Sequence, residues 1–138
     1  MEIPEEIPEG DSGISPTKTC SICQKPCDVS LFHRNRNSSD GLDNRCAPCK
    51  ADKRRLDVYD LQPETYKRML FAQNAECAIC RRGLPELDNG LKVDHNHVTG
   101  AVRMLLCHEC NTALGLSKEN VVTLSRMIEY LTIWKDAE

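Results

Sequence analysis

Four Cys-x-x-Cys pairs constrain this chain more than any other feature: Cys20/Cys23, Cys46/Cys49, Cys77/Cys80 and Cys107/Cys110. A Cys-x-x-Cys turn brings two sulfurs close together, and two such turns complete a tetrahedral shell for one zinc ion. The order along the chain pairs the first two knuckles as one site and the last two as another. With four thiolates each, both sites would be closed: they hold structure and cannot activate water. Disulfides are the competing reading, since cysteine-rich short chains are often secreted scaffolds. The pairing of eight cysteines, the odd total of nine, and an acidic N-terminus without the apolar run of a secretion leader favour zinc and a reducing, intracellular setting. Cys27 is the spare, expected to be a free thiol, with a swap for Cys20 or Cys23 as ligand the alternative.

Such sites have a physical use here. A chain of 138 residues allows one or two small domains, and two phenylalanines, one tryptophan and three tyrosines supply little bulk for a core. Zinc binding couples to folding, at about 10–16 kcal/mol in model peptides, and offsets that shortage. The net charge of −3 argues against a nucleic-acid partner until its distribution is considered. Glu2, Glu5, Glu6, Glu9 and Asp11 crowd the first eleven residues, and without them 16 acidic residues stand against 18 Lys and Arg.

The sequence divides into three parts. Residues 1–17 are acidic and broken by proline and glycine, which predicts a disordered tail. Residues 18–56 carry the first two knuckles and predict a zinc ribbon, with a short strand over Val29, Leu31 and Phe32, a turn at Asp40-Gly41 and a hairpin return. His33 is expected to be exposed. Basic residues outnumber acidic ones in this part; Arg34, Arg36, Lys53, Arg54 and Arg55 are its candidate phosphate contacts, and a solvated face is the alternative. Residues 57–138 hold the second pair of knuckles. Leu56–Leu61 is expected to be a linker, and Pro63–Asn74 a helix with Tyr66, Met69, Leu70 and Phe71 on its apolar face. Asn89-Gly90 marks a turn, LKVDH and AVRMLL an antiparallel pair of strands, and a helix follows from near Cys110. The final helix, with Ser117 as expected N-cap, runs to Lys135 with Val121, Leu124, Ile128 and Leu131 along one face. That face predicts either a cover over the core or a seam for a second copy.

Between and beside the last two knuckles stand Asp94, His95, His97 and Asn111, none needed by zinc. Taken singly, each is an ordinary turn or cap residue of a zinc module. Together, in VDHNHVTGAVRMLLCHECN preceded by QNAECAIC, they resemble the recombination endonuclease VII branch of the His-Me finger (HNH, ββα-metal) nucleases. The resemblance spans Tyr66 to Leu116. It departs at Met104, where the family usually has glycine, which bears on packing in the second strand and not on chemistry.

The resemblance implies a small α+β, zinc-stabilised fold: an N-terminal ribbon and a ββα-metal core with flanking helices. It also implies DNA cleavage leaving 5′-phosphate and 3′-hydroxyl ends, with His95 activating water and Asp94 and Asn111 holding a metal. The residue chemistry agrees. A carboxylate and a neutral carbonyl suit a hard cation such as Mg²⁺, with Mn²⁺ able to substitute, and an imidazole can take a proton from water near neutral pH. His97 is either a supporting residue of the site or structural. Arg103 is a candidate for the scissile phosphate, with an ion pair on the scaffold as the alternative.

Expected partners are DNA, a second copy through the C-terminal helix and, in a phage, DNA packaging or restriction factors. No membrane partner is expected, and the setting is the cytoplasm of a bacterial or phage-infected cell, or the nucleus in a eukaryote. The rival reading is a non-catalytic double-zinc module that binds nucleic acid or protein. Within the nuclease reading, Holliday-junction resolution stands against general nicking or double-strand cutting.

Overall fold

A computed structural model describes residues 16–87 and 90–135. The tail expected over residues 1–17 thus lies outside the described residues except for its last two positions, and so does Asn89 of the Asn89-Gly90 turn. The chain divides into two compact units between Arg54 and Arg55.

The first unit is two hairpins bearing two knuckles. Strand β1 (Thr17–Thr19) pairs antiparallel with β2 (Pro26–Asp28), and the Cys20/Cys23 turn lies between them. Strand β3 (Phe32–Arg34) pairs with β4 (Leu42–Cys46), joined by the turn through Asp40 and Gly41. Gly41 has a φ of 74°, which glycine adopts without the cost a side chain would bring. Cys20, Phe32 and Cys46 form the small core. The expected strand over Val29, Leu31 and Phe32 begins only at Phe32. The Asp28 carboxylate accepts from the Ser30 amide at 2.8 Å and starts a 3-10 turn over Val29–Leu31, local side-chain capping having won over β-propensity. Asp43 is buried, and Lys50 at 2.8 Å and Arg45 at 3.4 Å satisfy it.

Helix α1 (Ala47–Tyr59) follows Cys46 directly and overturns the expected linker over Leu56–Leu61. Its sequence, APCKADKRRLDVY, has no glycine and only an early proline, where proline is tolerated. The helix therefore runs on until Asp60, at a φ of 50°, and Leu61 enters the core of the second unit.

In the second unit, α2 (Pro63–Ala72) has Pro63 at its first position. Tyr66, Met69 and Leu70 pack on the core, whereas Phe71, expected on the same face, is 87 % exposed. Strands β5 (Lys92–His95) and β6 (Val102–Leu106) form an antiparallel hairpin. The turn between them is built by Asn96, whose side-chain oxygen accepts from the Val98 and Thr99 amides at 2.8 and 2.9 Å. Met104 is 46 % exposed on β6, so the departure at this position does not disturb the core. Helix α3 (His108–Leu116) completes a strand–strand–helix unit, with the Cys107 sulfur accepting from the Cys110 amide at its N-terminus.

Ser117 is not the N-cap of the last helix. It closes α3, donating from its hydroxyl to the Leu114 carbonyl at 2.9 Å. Lys118 and Glu119, both at a φ of 53°, reverse the chain. Asn120 then caps α4 (Val121–Trp134), accepting from the Thr123 amide at 2.9 Å. Helix α4 does not cover the core: Val121, Ile128, Leu131 and Ile133 are each about two-thirds exposed or more. Among the described residues no helix is long and apolar enough to cross a membrane.

Candidate active site and metal centres

The eight knuckle cysteines form two clusters, Cys20, Cys23, Cys46, Cys49 and Cys77, Cys80, Cys107, Cys110. In each, the four sulfurs lie within 4.8 Å of one another. The Cys80 and Cys107 sulfurs are 3.7 Å apart. A tetrahedron with Zn–S bonds of about 2.3 Å has an edge of roughly 3.8 Å, so the donors fit zinc in identity and in spacing. Cys27 stands outside the first set. It packs against the same small core, with its sulfur 3.5 Å from the Lys25 carbonyl, while Cys20 and Cys23 both keep their places in the four-sulfur group.

Sequence reading missed the guard on the second cluster. Arg82 donates to the sulfurs of Cys80 and Cys107, each at 3.4 Å, and pairs with Glu109 at 3.1 Å. These hydrogen bonds favour the thiolate: the Cys80 thiol is lowered to about 6, with Arg82 the largest cause. Cys49, in the first cluster, is instead pushed up to about 12, chiefly by burial.

The residues left over from zinc gather at the end of the β5–β6 hairpin. Tyr59, Asp94, His95, His97, Asn111 and Glu119 line one cleft of about 340 Å³. Two elements put them there. The β5–β6 register shifts between Val93 and His95, and the consecutive Val93 and Asp94 are both buried, at 7 % and 6 % exposure. Regular strand alternation would have exposed one of them. The closure of α3 on Cys107 and Cys110 then sets Asn111 in the first turn of that helix, beside β5.

His95 is held between two rings. Tyr59 tilts over it at 5.2 Å, and His97, in the turn beyond β5, stacks on it at 4.8 Å with 14° between planes. Tyr59 escaped the sequence reading because its segment read as linker. Asp94 is gripped by Arg103, Nε to Oδ2 at 2.7 Å and Nη2 to Oδ1 at 2.8 Å. Arg103 also donates to Glu119, from Nη2 at 2.8 Å and Nη1 at 3.2 Å. Glu119 Oε1 lies 3.6 Å from His97 Nε2. The guanidinium holds the Glu119 carboxyl below its usual range, and the two carboxylates push Arg103 upward. Of the two readings of Arg103, the ion pair is the one the geometry contains: both donating edges of the guanidinium are occupied by carboxylates.

The remaining basic candidates lie elsewhere. Arg34 and Arg36 are exposed on and beyond β3, and Lys53 and Arg54 are exposed on α1. The Arg55 guanidinium lies 3.8 Å above the Tyr66 ring, a cation–π contact within the second unit. His33 and His108 are exposed.

Chemically, the cleft offers a carboxylate and an amide, both oxygen donors suited to a hard divalent cation, beside a half-buried imidazole. Two curated relatives, the Gene 59 proteins of Mycobacterium phages D29 and L5, are 38 % and 37 % identical over 81 residues, 58 % of this chain. The chain spans about half the length of these relatives, 48 % and 49 %. The crystal structure of the ββα-Me type II restriction endonuclease Hpy99I aligns at 29 % identity over 86 % of this chain and 66 % of that one. Its TM-score is 0.41. A model of the recombination endonuclease VII family matches residues 52–133, which include the whole cleft and the second zinc cluster. More than half of the chain falls within that match, and the chain belongs to the recombination endonuclease VII family.

Proposed function

We propose that the chain is a metal-dependent DNA endonuclease acting through one divalent cation, with His95 as general base. The observation that carries this reading is the single cleft shared by Asp94, His95 and Asn111. Asp94 and Asn111 would hold Mg²⁺, with Mn²⁺ as substitute. Bound there, the cation supplies Lewis-acid neutralisation of the phosphate and of the departing oxygen. His95 takes the proton of the attacking water as the new P–O bond forms and the P–O3′ bond breaks, leaving 5′-phosphate and 3′-hydroxyl ends. Tyr59 and His97 keep its ring from rotating out of line, the positioning on which proton transfer depends. The two zinc ions hold the knuckles and take no part in the reaction.

Arg34, Arg36, Lys53 and Arg54 are exposed and suited to phosphate contact without sequence choice. The bare apolar stripe of α4 is suited to a second copy of the chain. The phage relatives favour action in the cytoplasm of an infected cell, where packaging machinery would be a natural partner. General nicking or cutting and junction resolution would use this same cleft, and the choice of DNA in the test separates them.

The test is zinc-loaded protein on supercoiled plasmid and on a four-way junction, with Mg²⁺ or with EDTA, beside His95→Ala. Mg²⁺-dependent cutting should fall about 10²–10⁴-fold in the variant, with both zinc ions retained. A well-folded wild type that cuts neither DNA would instead support the non-catalytic double-zinc module.

A further inference from the structure

We propose that Arg103 and Glu119 form a charge-setting clamp on Asp94, in which Glu119 tunes how tightly the cleft holds its divalent cation. The inference rests on the reading of Asp94 as a cation ligand and concerns two residues that touch neither water nor phosphate in it. Both are positioning residues.

Asp94 is 6 % exposed, and both of its oxygens accept from Arg103. A carboxylate so paired presents almost no net charge to an approaching dication, a poor arrangement for a ligand assisted only by a neutral amide. The second carboxylate changes this. Glu119 takes the other edge of the same guanidinium, at 2.8 and 3.2 Å, so the three groups together carry one negative charge. Arg103 fixes the plane of Asp94, and Glu119 cancels the electrostatic cost of that fixing. Both side chains are only partly exposed, 35 % for Arg103 and 26 % for Glu119, so water does not fully screen the effect.

Glu119 is also placed with some effort. It and Lys118 both have a φ of 53°, a region that non-glycine residues occupy at a cost and that is found preferentially at functional sites. Its amide donates to the Leu114 carbonyl at 2.9 Å, anchoring this conformation to the end of α3. From there its carboxylate reaches Arg103 and lies 3.6 Å from His97, so one side chain touches both flanks of the cleft. A residue that merely ended a helix would not need to point there.

The clamp makes a prediction of opposite signs. Mn²⁺ binding to zinc-loaded, DNA-free protein is titrated by electron paramagnetic resonance for wild type, Asp94→Asn, Glu119→Gln and Arg103→Met, and cutting is measured against Mg²⁺ concentration. Glu119→Gln should weaken Mn²⁺ binding about tenfold, the order expected for removing one mostly water-screened charge near a dication. It should raise the Mg²⁺ needed for half-maximal cutting, and Glu119→Asp should recover part of the loss. Arg103→Met should bind Mn²⁺ more tightly than wild type, because two carboxylates then face the ion, yet cut more slowly because Asp94 has lost its support. A purely structural role would weaken both variants or neither, and either result overturns the clamp. Should Glu119→Gln lose its zinc or fold, Arg103→Met decides alone. A wild type with no Asp94-dependent Mn²⁺ site and no cutting would remove the proposed function itself, whereas one that binds and cuts while the variants fail to diverge removes only this inference.

Discussion

Replacing Gln73 by methionine removes a polar side chain that works as part of the sheet. Gln73 is 6 % exposed at the end of α2, and its amide makes three hydrogen bonds into the second unit. Nε2 donates to the carbonyls of Leu105 and Glu76, each at 2.9 Å, and Oε1 accepts from the Leu105 amide at 2.8 Å. It thereby caps the free edge of β6 at its most buried residue, Leu105, which has no exposure. Methionine keeps the volume and loses the bonds. The Leu105 carbonyl retains the Ala78 amide at 3.1 Å, so its loss is modest. The Leu105 amide is left unsatisfied in the interior, at about 1–3 kcal/mol, and the two lost bonds to carbonyls add roughly 0.5–1.5 kcal/mol each. About 3–4 kcal/mol is the expected total, a large share of the stability of a small domain. Urea unfolding followed by circular dichroism, with free zinc buffered at one concentration for both proteins, reads this directly. A loss below about 1 kcal/mol would refute the reasoning, because it would mean that water or a shifted backbone satisfies the Leu105 amide.

The same second unit offers a pH test. Arg82 lowers the Cys80 thiol to about 6, so the thiolate is favoured above that value and the advantage disappears as pH falls through it. Arg82→Met raises the thiol toward its ordinary range, protons then compete better with zinc, and the midpoint of zinc release on acidification should move to higher pH. A colorimetric zinc chelator follows the release, and an unchanged midpoint would show that Arg82 serves only Glu109. On α4, Ile128 and Leu131 are 66 % and 67 % exposed; changing both to glutamate should convert a dimer to monomer in sedimentation while leaving zinc content intact. A wild type that is monomeric at high micromolar concentration removes the seam. Chelating both zinc ions should abolish the ellipticity of each unit, since their cores include the knuckle sulfurs themselves.

What the sequence disclosed of the fold was local. Knuckle spacing marks where sulfurs meet, alternation marks β5 and β6, and Pro63 marks the start of α2, because each signal is complete within a few residues. The errors fell where two local signals competed. Ser117 resembles an N-cap, yet its hydroxyl bonds back to Leu114, and the left-handed pair Lys118 and Glu119 shifts the cap to Asn120. Asp28 looked like the residue before a strand, and its side chain made a turn instead. Leu56–Leu61 read as linker because its polar neighbours hide helical periodicity, although nothing in it can stop a helix before Asp60.

The site was legible to the extent that its chemistry is encoded in types and spacings, and illegible where it depends on a fold-made neighbour. Asp94, His95 and Asn111 are brought together by a hairpin and a helix whose ends are fixed by cysteines, so their spacing carries the information. Tyr59, Arg103 and Glu119 reach these residues from α1, β6 and the α3–α4 turn, 35, 8 and 8 positions from the nearest of those three. No short-range rule links a tyrosine at the end of one helix to a histidine at the end of a strand. For Arg103 a rule existed but pointed two ways: an arginine beside a candidate phosphate site can bind phosphate or a carboxylate, and only the partner decides. Here the partners are Asp94 and Glu119, and a buried carboxylate that must keep its geometry is the stronger claimant, because releasing Arg103 to a substrate would leave Asp94 charged and unpaired at 6 % exposure. Arg103 is therefore held by the scaffold, and under the proposed function the recognition of phosphate would fall to the cation and to the exposed basic residues of the first unit.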